Sequence, residues 1–242
     1  MALISEETVA LVRGVAAEAE RLETPCGDGN MVWHVWGTGP PLVLLHGGYG
    51  SWTHWIRNVL PLSRAFTVAA PDLPGLGESA TPPEPHTADG LARIIVEGID
   101  IAFPRPADLR IAGFSFGGVL GGRVAVQFGE RRTHRAVGVK SRRFSRADTL
   151  ARALPLVKAR LDGIWGERDA TAYPHLDDRA RALRDIQPGA RFEVIAGAGH
   201  WCNTKRLIGS IQSLPRLPDP DRAKAIGSPS LARGSIELRQ RS

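Results

Sequence analysis

Gly113-Phe114-Ser115-Phe116-Gly117 limits what this chain can fold into more than any other stretch of it. It follows the short apolar run Leu109 to Ala112 and precedes Gly118-Val119-Leu120, so it reads as a serine on a sharp turn between a strand and a helix. The backbone of such a turn is strained at the serine. Glycine two positions to either side leaves space where a Cβ would meet the neighbouring strand or helix. A plain Gly-rich turn is the competing reading in a chain with 27 glycines, and the residues downstream decide between the two. Leu161 to Asp169 is apolar until it breaks at Gly166 into a charged loop, which presents Asp169 beyond the end of a strand. Phe192 to Ala196, followed by Gly197-Ala198-Gly199, presents His200 in the same way. The order Ser, Asp, His belongs to one of the unrelated scaffolds on which this triad recurs.

The rest of the chain alternates. Residues 5–20 read as an acidic amphipathic helix outside the core, and Arg21 to Thr24 with Met31 to Val35 as a hairpin turned at Gly27-Asp28-Gly29-Asn30. Next come strand Leu42 to Leu45, helix near Trp52 to Leu62, strand Phe66 to Ala70, helix Thr87 to Ile101, strand Leu109 to Phe114 and helix Phe116 to Phe128. Apolar strands alternating with longer helical patterns predict an α/β fold, a mostly parallel sheet with helices on both faces. Ligands of such sheets bind beyond the C-terminal ends of the strands, where Ser115, Asp169 and His200 all fall.

Three further stretches complete an ordered set: Leu42-Val43-Leu44-Leu45-His46-Gly47-Gly48, Ala70-Pro71-Asp72-Leu73-Pro74-Gly75-Leu76-Gly77-Glu78-Ser79, and Gly197-Ala198-Gly199-His200-Trp201. With them the sequence resembles the α/β-hydrolase superfamily over roughly residues 21 to 201. The resemblance implies a cofactor-free serine hydrolase acting on small acyl substrates, similar to carboxylesterases and carbon–carbon bond hydrolases. In it Ser115 attacks a carbonyl, His200 moves the proton and Asp169 holds the imidazole. It also implies an oxyanion hole made by the backbone N–H groups of Gly48 and Phe116. Esters are the expected substrates. Hydrolysis of dienone acids at a carbon–carbon bond is the alternative, suggested by His46-Gly47-Gly48-Tyr49-Gly50 and the Trp52 to Trp55 segment, and a catalytically impaired relative is a third reading. Haloalkane dehalogenases and epoxide hydrolases of the superfamily attack with a carboxylate, which a serine disfavours. Trp52, Trp165 and Trp201 are candidates to line the substrate pocket, against a plain core role. His46 is expected to brace the loop after its strand.

Two departures from the family pattern stand out. Asp169 follows Ser115 by only 54 residues, an interval that holds a helix, a strand at His134 to Val139, a helix at Ser145 to Leu154 and the strand before Gly166. Nothing remains for the helical cap that most relatives insert there, so the cap is expected to be largely absent and Ser115 to lie in an open cleft. After His200, Leu207, Ile208, Ile211 and Leu214 make two helical turns that Pro215 stops, where relatives carry a long final helix.

The organisation expected is a core over residues 1–214 and a basic, disordered tail over 215–242. From Asn203 onward eight basic residues face three acidic ones, which accounts for most of the net charge of +6. The tail has no aromatic residue to stack a base, so nucleic acid is not an expected partner. Two cysteines, no basic-then-apolar leader and no apolar run of membrane-spanning length lead to the cytoplasm as the expected location. The seven histidines show no H-E-x-x-H or cysteine pairing, so no metal is implied. A dinucleotide site at Gly75-Leu76-Gly77-Glu78-Ser79-Ala80 needs a helix at once, and Pro82, Pro83 and Pro85 forbid it. The oligomeric state is not legible.

Overall fold

The computed structural model describes residues 5–104, 109–132 and 152–202. Among these, five strands form one sheet in the order β1-β2-β4-β3-β5, with β1 Glu20–Cys26, β2 Gly29–Trp36, β3 Pro41–Leu45, β4 Thr67–Pro71 and β5 Arg110–Gly113. Two more strands, β6 Asp162–Gly166 and β7 Arg191–Ile195, pair in parallel with each other. The β1–β2 hairpin is antiparallel, as is β2 against β4, whereas β3 runs parallel to both β4 and β5. The strands that lead into the candidate residues, β3, β5, β6 and β7, are thus all in parallel pairs.

The unbroken apolar run Leu42 to Leu45 follows from burial on both faces of the sheet. Leu42 and Leu44 enter one core with Trp36, Val68, Ala70, Trp55 and Leu62. Val43 and Leu45 enter the other with Met31, Trp33, Ala69, Ile95, Ile99 and Leu120. Helices α3 Ala88–Ala102 and α4 Phe116–Arg132 cover the second core, and α3 starts where the Thr87 hydroxyl accepts from the Gly90 amide at 3.0 Å. The first core is covered by α1 Glu6–Ala17, a 3-10 turn at Trp52–Trp55 and α2 Val59–Ser63. Helix α1 is peripheral, as expected: Val15 is its one buried residue, and its carbonyl accepts the Trp36 indole N–H at 2.9 Å.

The single helix expected near Trp52 to Leu62 is instead two short pieces. Pro61 has no N–H to continue an earlier helix and its ring collides with the preceding turn. The chain restarts at Val59, which puts Pro61 in the first turn of α2, where a missing donor does no harm. Between β6 and β7 lies α5 Leu176–Ile186, which buries Ala180 and Leu183. The strand expected at His134 to Val139, nearly all of the helix expected at Ser145 to Leu154, and everything after Cys202, including the expected tail, lie outside the described residues. Among the described residues no helix is long and apolar enough to cross a membrane.

Candidate active site

Ser115 sits between the end of β5 and the start of α4 with φ of 52°, a left-handed conformation that costs a non-glycine residue. The flanking glycines make the turn possible. A Cβ on Gly113 would come within 2.3 Å of the Gly117 carbonyl oxygen, and one on Gly117 within 2.1 Å of the Leu45 oxygen and 2.5 Å of the His46 oxygen. Strand β5, helix α4 and the end of β3 therefore converge on backbone contacts that admit no side chain. Phe114 is buried beneath the turn and Ser115 is exposed above it.

Asp169 and His200 arrive on two loops stitched to one another. The Glu167 and Arg168 amides donate to the carbonyls of Ile195 at 3.0 Å and Ala198 at 2.7 Å, and the Gly197 amide returns a bond to the Glu167 carboxylate at 2.7 Å. The loops approach so closely that a Cβ on Gly166 would lie 2.2 Å from the Gly199 oxygen. This register brings His200 Nδ1 to 3.0 Å from Asp169 Oδ2 and 3.1 Å from Oδ1. Asp169 is buried, at 4% exposure, and Thr171 completes its hydrogen bonding: its amide donates to Oδ1 at 2.9 Å and its hydroxyl at 2.7 Å. Burial by itself raises the carboxyl's proton affinity. The bonds from Thr171 and His200 together outweigh it, so the group ends below its ordinary value and stays ionised. A carboxylate at Nδ1 fixes the imidazole tautomer with the proton there, leaving Nε2 to act as base. The His200 ring packs 5.1 Å from the ring of Phe114, the residue before Ser115.

The two backbone groups expected to form an oxyanion hole are neighbours. A Cβ on Gly48 would stand 3.8 Å from the Phe116 Cβ, an ordinary contact. Phe116 is the first residue of α4, so its amide has no acceptor within the helix and lies at the positive end of the helix dipole. His46 is fully buried and accepts from the Leu73 amide through Nε2 at 2.8 Å. Its Nδ1–H therefore donates to the Gly47 carbonyl at 2.7 Å, the bracing role expected of it. Burial holds its imidazole below the ordinary value. Asp72 plays a similar part, with Oδ1 accepting from the Trp52 amide at 2.7 Å and Oδ2 from the Glu78 amide at 2.8 Å.

The three tryptophans separate. Trp52 is buried in the core, with ring centroids 5.0 Å from His34 and 5.3 Å from Trp36. Trp165 stacks on Phe192 at 4.9 Å in the β6–β7 pair. Trp201 is half-exposed and packs 4.9 Å from Phe114 and 4.7 Å from His54. Of the three, Trp201 shares the aromatic cluster that holds His200. Thr171 and His54 are site residues that motif spacing did not assign. Thr171 carries a signal in retrospect, a Thr two positions after an Asp, which favours a local side-chain-to-amide turn. Among the described residues no cluster of three or more His, Cys, Asp or Glu side chains could hold a metal ion.

A serine on a strained strand-to-helix turn, with a carboxylate–imidazole pair on the next strand ends, defines a hydrolase-type α/β scaffold. The chain belongs to the alpha/beta hydrolase family, whose model matches residues 42–165, just over half of it. A soluble epoxide hydrolase from Corynebacterium sp. (strain C12) is 62% identical over 47 residues, 19% of this chain and 16% of that protein. A pimeloyl-[acyl-carrier protein] methyl ester esterase from Vibrio parahaemolyticus serotype O3:K6 (strain RIMD 2210633) is 34% identical over 102 residues, 42% of this chain and 37% of that one. Both matches span well under half of the relative's length. Naproxen esterase (carboxylesterase NP) from Bacillus subtilis has a similar fold, with a TM-score of 0.66 at 15% identity, covering 87% of this chain and 99% of that one.

Proposed function

We propose that this chain is a serine hydrolase that cleaves carboxylic esters or similar acyl compounds through Ser115, His200 and Asp169, without a cofactor. The observation that carries the reading is the Asp169–His200 pair, 3.0 Å apart and packed against the residue that precedes a serine in left-handed conformation. His200 Nε2 takes the Ser115 proton as Oγ attacks the acyl carbon, and the resulting oxyanion faces the amides of Gly48 and Phe116. The tetrahedral species collapses by breaking the ester C–O bond, and the leaving alkoxide receives the proton from Nε2. Water then repeats the sequence on the acyl-serine ester, releasing the acid and restoring Ser115.

The short epoxide hydrolase match does not favour that reaction. Serine attack on an epoxide carbon makes an ether, which has no carbonyl for water to attack, so the enzyme would stop after one event. An acyl-serine ester turns over. The similarity to a methyl ester esterase agrees with acyl chemistry. The test is labelling by a fluorophosphonate probe together with turnover of short aryl esters. Ser115→Ala should abolish labelling, and either Ser115→Ala or His200→Ala should lower kcat by roughly 10⁴- to 10⁶-fold. Unlabelled, folded wild-type protein that turns over no ester would favour an impaired relative, and turnover of dienone acids with no ester cleavage would favour the carbon–carbon hydrolase.

A further inference from the structure

We infer that His54 is a positioning residue for the oxyanion loop: its imidazole holds the Gly47 amide from below and, with His46, aims the Gly48 N–H at the acyl oxygen. The inference rests on the serine hydrolase reading above and adds to it a residue that no motif supplies.

Gly47 is gripped from two sides. Its N–H donates to His54 Nδ1 at 3.1 Å, and its carbonyl accepts from His46 Nδ1 at 2.7 Å. That carbonyl belongs to the peptide unit whose N–H is that of Gly48. In a planar trans peptide the C=O and N–H point in opposite directions, so a carbonyl held toward His46 sends the Gly48 N–H the other way. His46 alone would fix one end of a segment still free to swing about Gly47. The bond to His54 fixes the preceding peptide unit as well, which leaves the Gly48 amide one direction.

The loop is built around this ring. A Cβ on Gly50 would lie 2.1 Å from His54 Cε1 and 2.3 Å from Nε2, so the chain passes over the imidazole with no room for a side chain. His54 is itself held edge-on to Phe114 at 5.8 Å and to Trp201 at 4.7 Å, the rings that flank Ser115 and His200 in the chain. Its place is therefore set by the same aromatic cluster that holds the His200 ring. Because Nδ1 accepts from an amide, the proton of the neutral ring is on Nε2, and burial disfavours the protonated form that would put a second donor at Nδ1.

Two substitutions separate positioning from packing. In His54→Asn the side-chain oxygen takes the place of Nδ1 and can accept from Gly47, but the ring is lost. In His54→Phe the ring and its contacts remain, but a C–H replaces the acceptor. If His54 positions the loop, Phe lowers kcat on an aryl ester roughly 10- to 100-fold with KM within about twofold, and Asn stays within a few-fold of wild type. If the ring matters only as packing, the order reverses, and that result overturns the inference. Amide exchange of Gly47 in 15N-glycine-labelled protein gives a readout independent of turnover: slow in wild type and in His54→Asn, fast in His54→Phe. Equal exchange in all three shows that the bond is not made and also overturns it. Wild-type protein that neither labels at Ser115 nor turns over ester defeats the hydrolase reading and the positioning role of His54 with it. A protein that labels and turns over but is indifferent to His54→Phe defeats the inference alone.

Discussion

Replacing Asp169 by asparagine separates what the carboxylate does for the reaction from what it does for the fold. Thr171 sends its amide at 2.9 Å and its hydroxyl at 2.7 Å to the same oxygen, Oδ1. An asparagine at this position therefore keeps its own oxygen there and places its NH2 at the Oδ2 position, 3.0 Å from His200 Nδ1. The retained oxygen, 3.1 Å from Nδ1, is already occupied by both Thr171 donors, and two donors cannot face each other across the shorter contact, so the imidazole moves its proton to Nε2 and turns a lone pair toward the new amide. That tautomer cannot accept the Ser115 proton. The expected loss is roughly 10⁴-fold in kcat, about 5.5 kcal/mol in activation free energy. The polar atoms around residue 169 keep their partners, so the melting temperature should move by no more than the few degrees that about 1 kcal/mol corresponds to in a chain of this size. Steady-state hydrolysis of an aryl ester beside a thermal melt reads both quantities. Turnover within tenfold of wild type would refute the assigned tautomer, and activity lost in step with a collapse of the melt would show that the carboxylate is needed for folding first.

Gly166→Ala puts a methyl group 2.2 Å from the Gly199 oxygen and 2.5 Å from that of Ala198, so it should part the acid loop from the base loop, destabilise the fold by about 1–3 kcal/mol and cost more in kcat than that loss of stability explains; an active, unshifted variant would count against the close approach of the two loops. Thr171→Val keeps the backbone bond to Asp169 but removes the hydroxyl donor, which should raise the carboxyl's proton affinity and cost about 1.5–3 kcal/mol of stability, read by urea unfolding; unchanged stability would show the hydroxyl bond to be of no consequence. His34, His46 and His54 are all held below the ordinary imidazole value by burial, so on acidification the unfolded chain takes up protons first. Stability should fall as pH drops below about 6.5, by up to about 1.4 kcal/mol per pH unit for each of these histidines, and level off below their folded values; a flat profile between pH 7 and 5 would refute it.

The elbow and both strand-end residues were legible because each depends on local backbone chemistry. Glycine at 113 and 117, and a glycine break after an apolar strand before Asp169 and His200, are patterns that survive without knowledge of the fold. The helix over Leu176–Ile186 was not read from the sequence: Leu176, Ala180 and Leu183 lie on one helical face, but its many charges hide the stripe. What was not legible depends on contacts between distant segments. Nothing in the one-dimensional pattern says that Trp52 faces His34 and Trp36, or that Trp201 faces Phe114 and His54, because all lie near strand ends and differ only in which way the chain turns next. Motif spacing did not assign His54 for the same reason. Its partner is a backbone amide seven residues earlier, and a backbone donor leaves no mark in the sequence.

Those contacts explain how the loops that carry Ser115, Asp169 and His200 are held. The acid and base loops lean on one another through Glu167, Ala198 and Gly197, and Ile164 on β6 packs into the core formed by the first sheet. The aromatic cluster of Phe114, His54, Trp201 and His200 then ties the elbow, the oxyanion loop and the base loop together at one point. The elbow and the acid and base loops are fixed by backbone hydrogen bonds at their roots, and the oxyanion loop by the His46 and His54 rings that grip Gly47. For the hydrolase proposed above, loops fixed in this way would lose little conformational entropy on binding substrate, which leaves more of the interaction energy for the transition state. Phe114 is the shared contact, packing against His54, His200 and Trp201 while its own backbone amide bonds to the Leu45 carbonyl at 2.9 Å. Its ring therefore couples the serine's turn to the loop that carries His200 and Trp201.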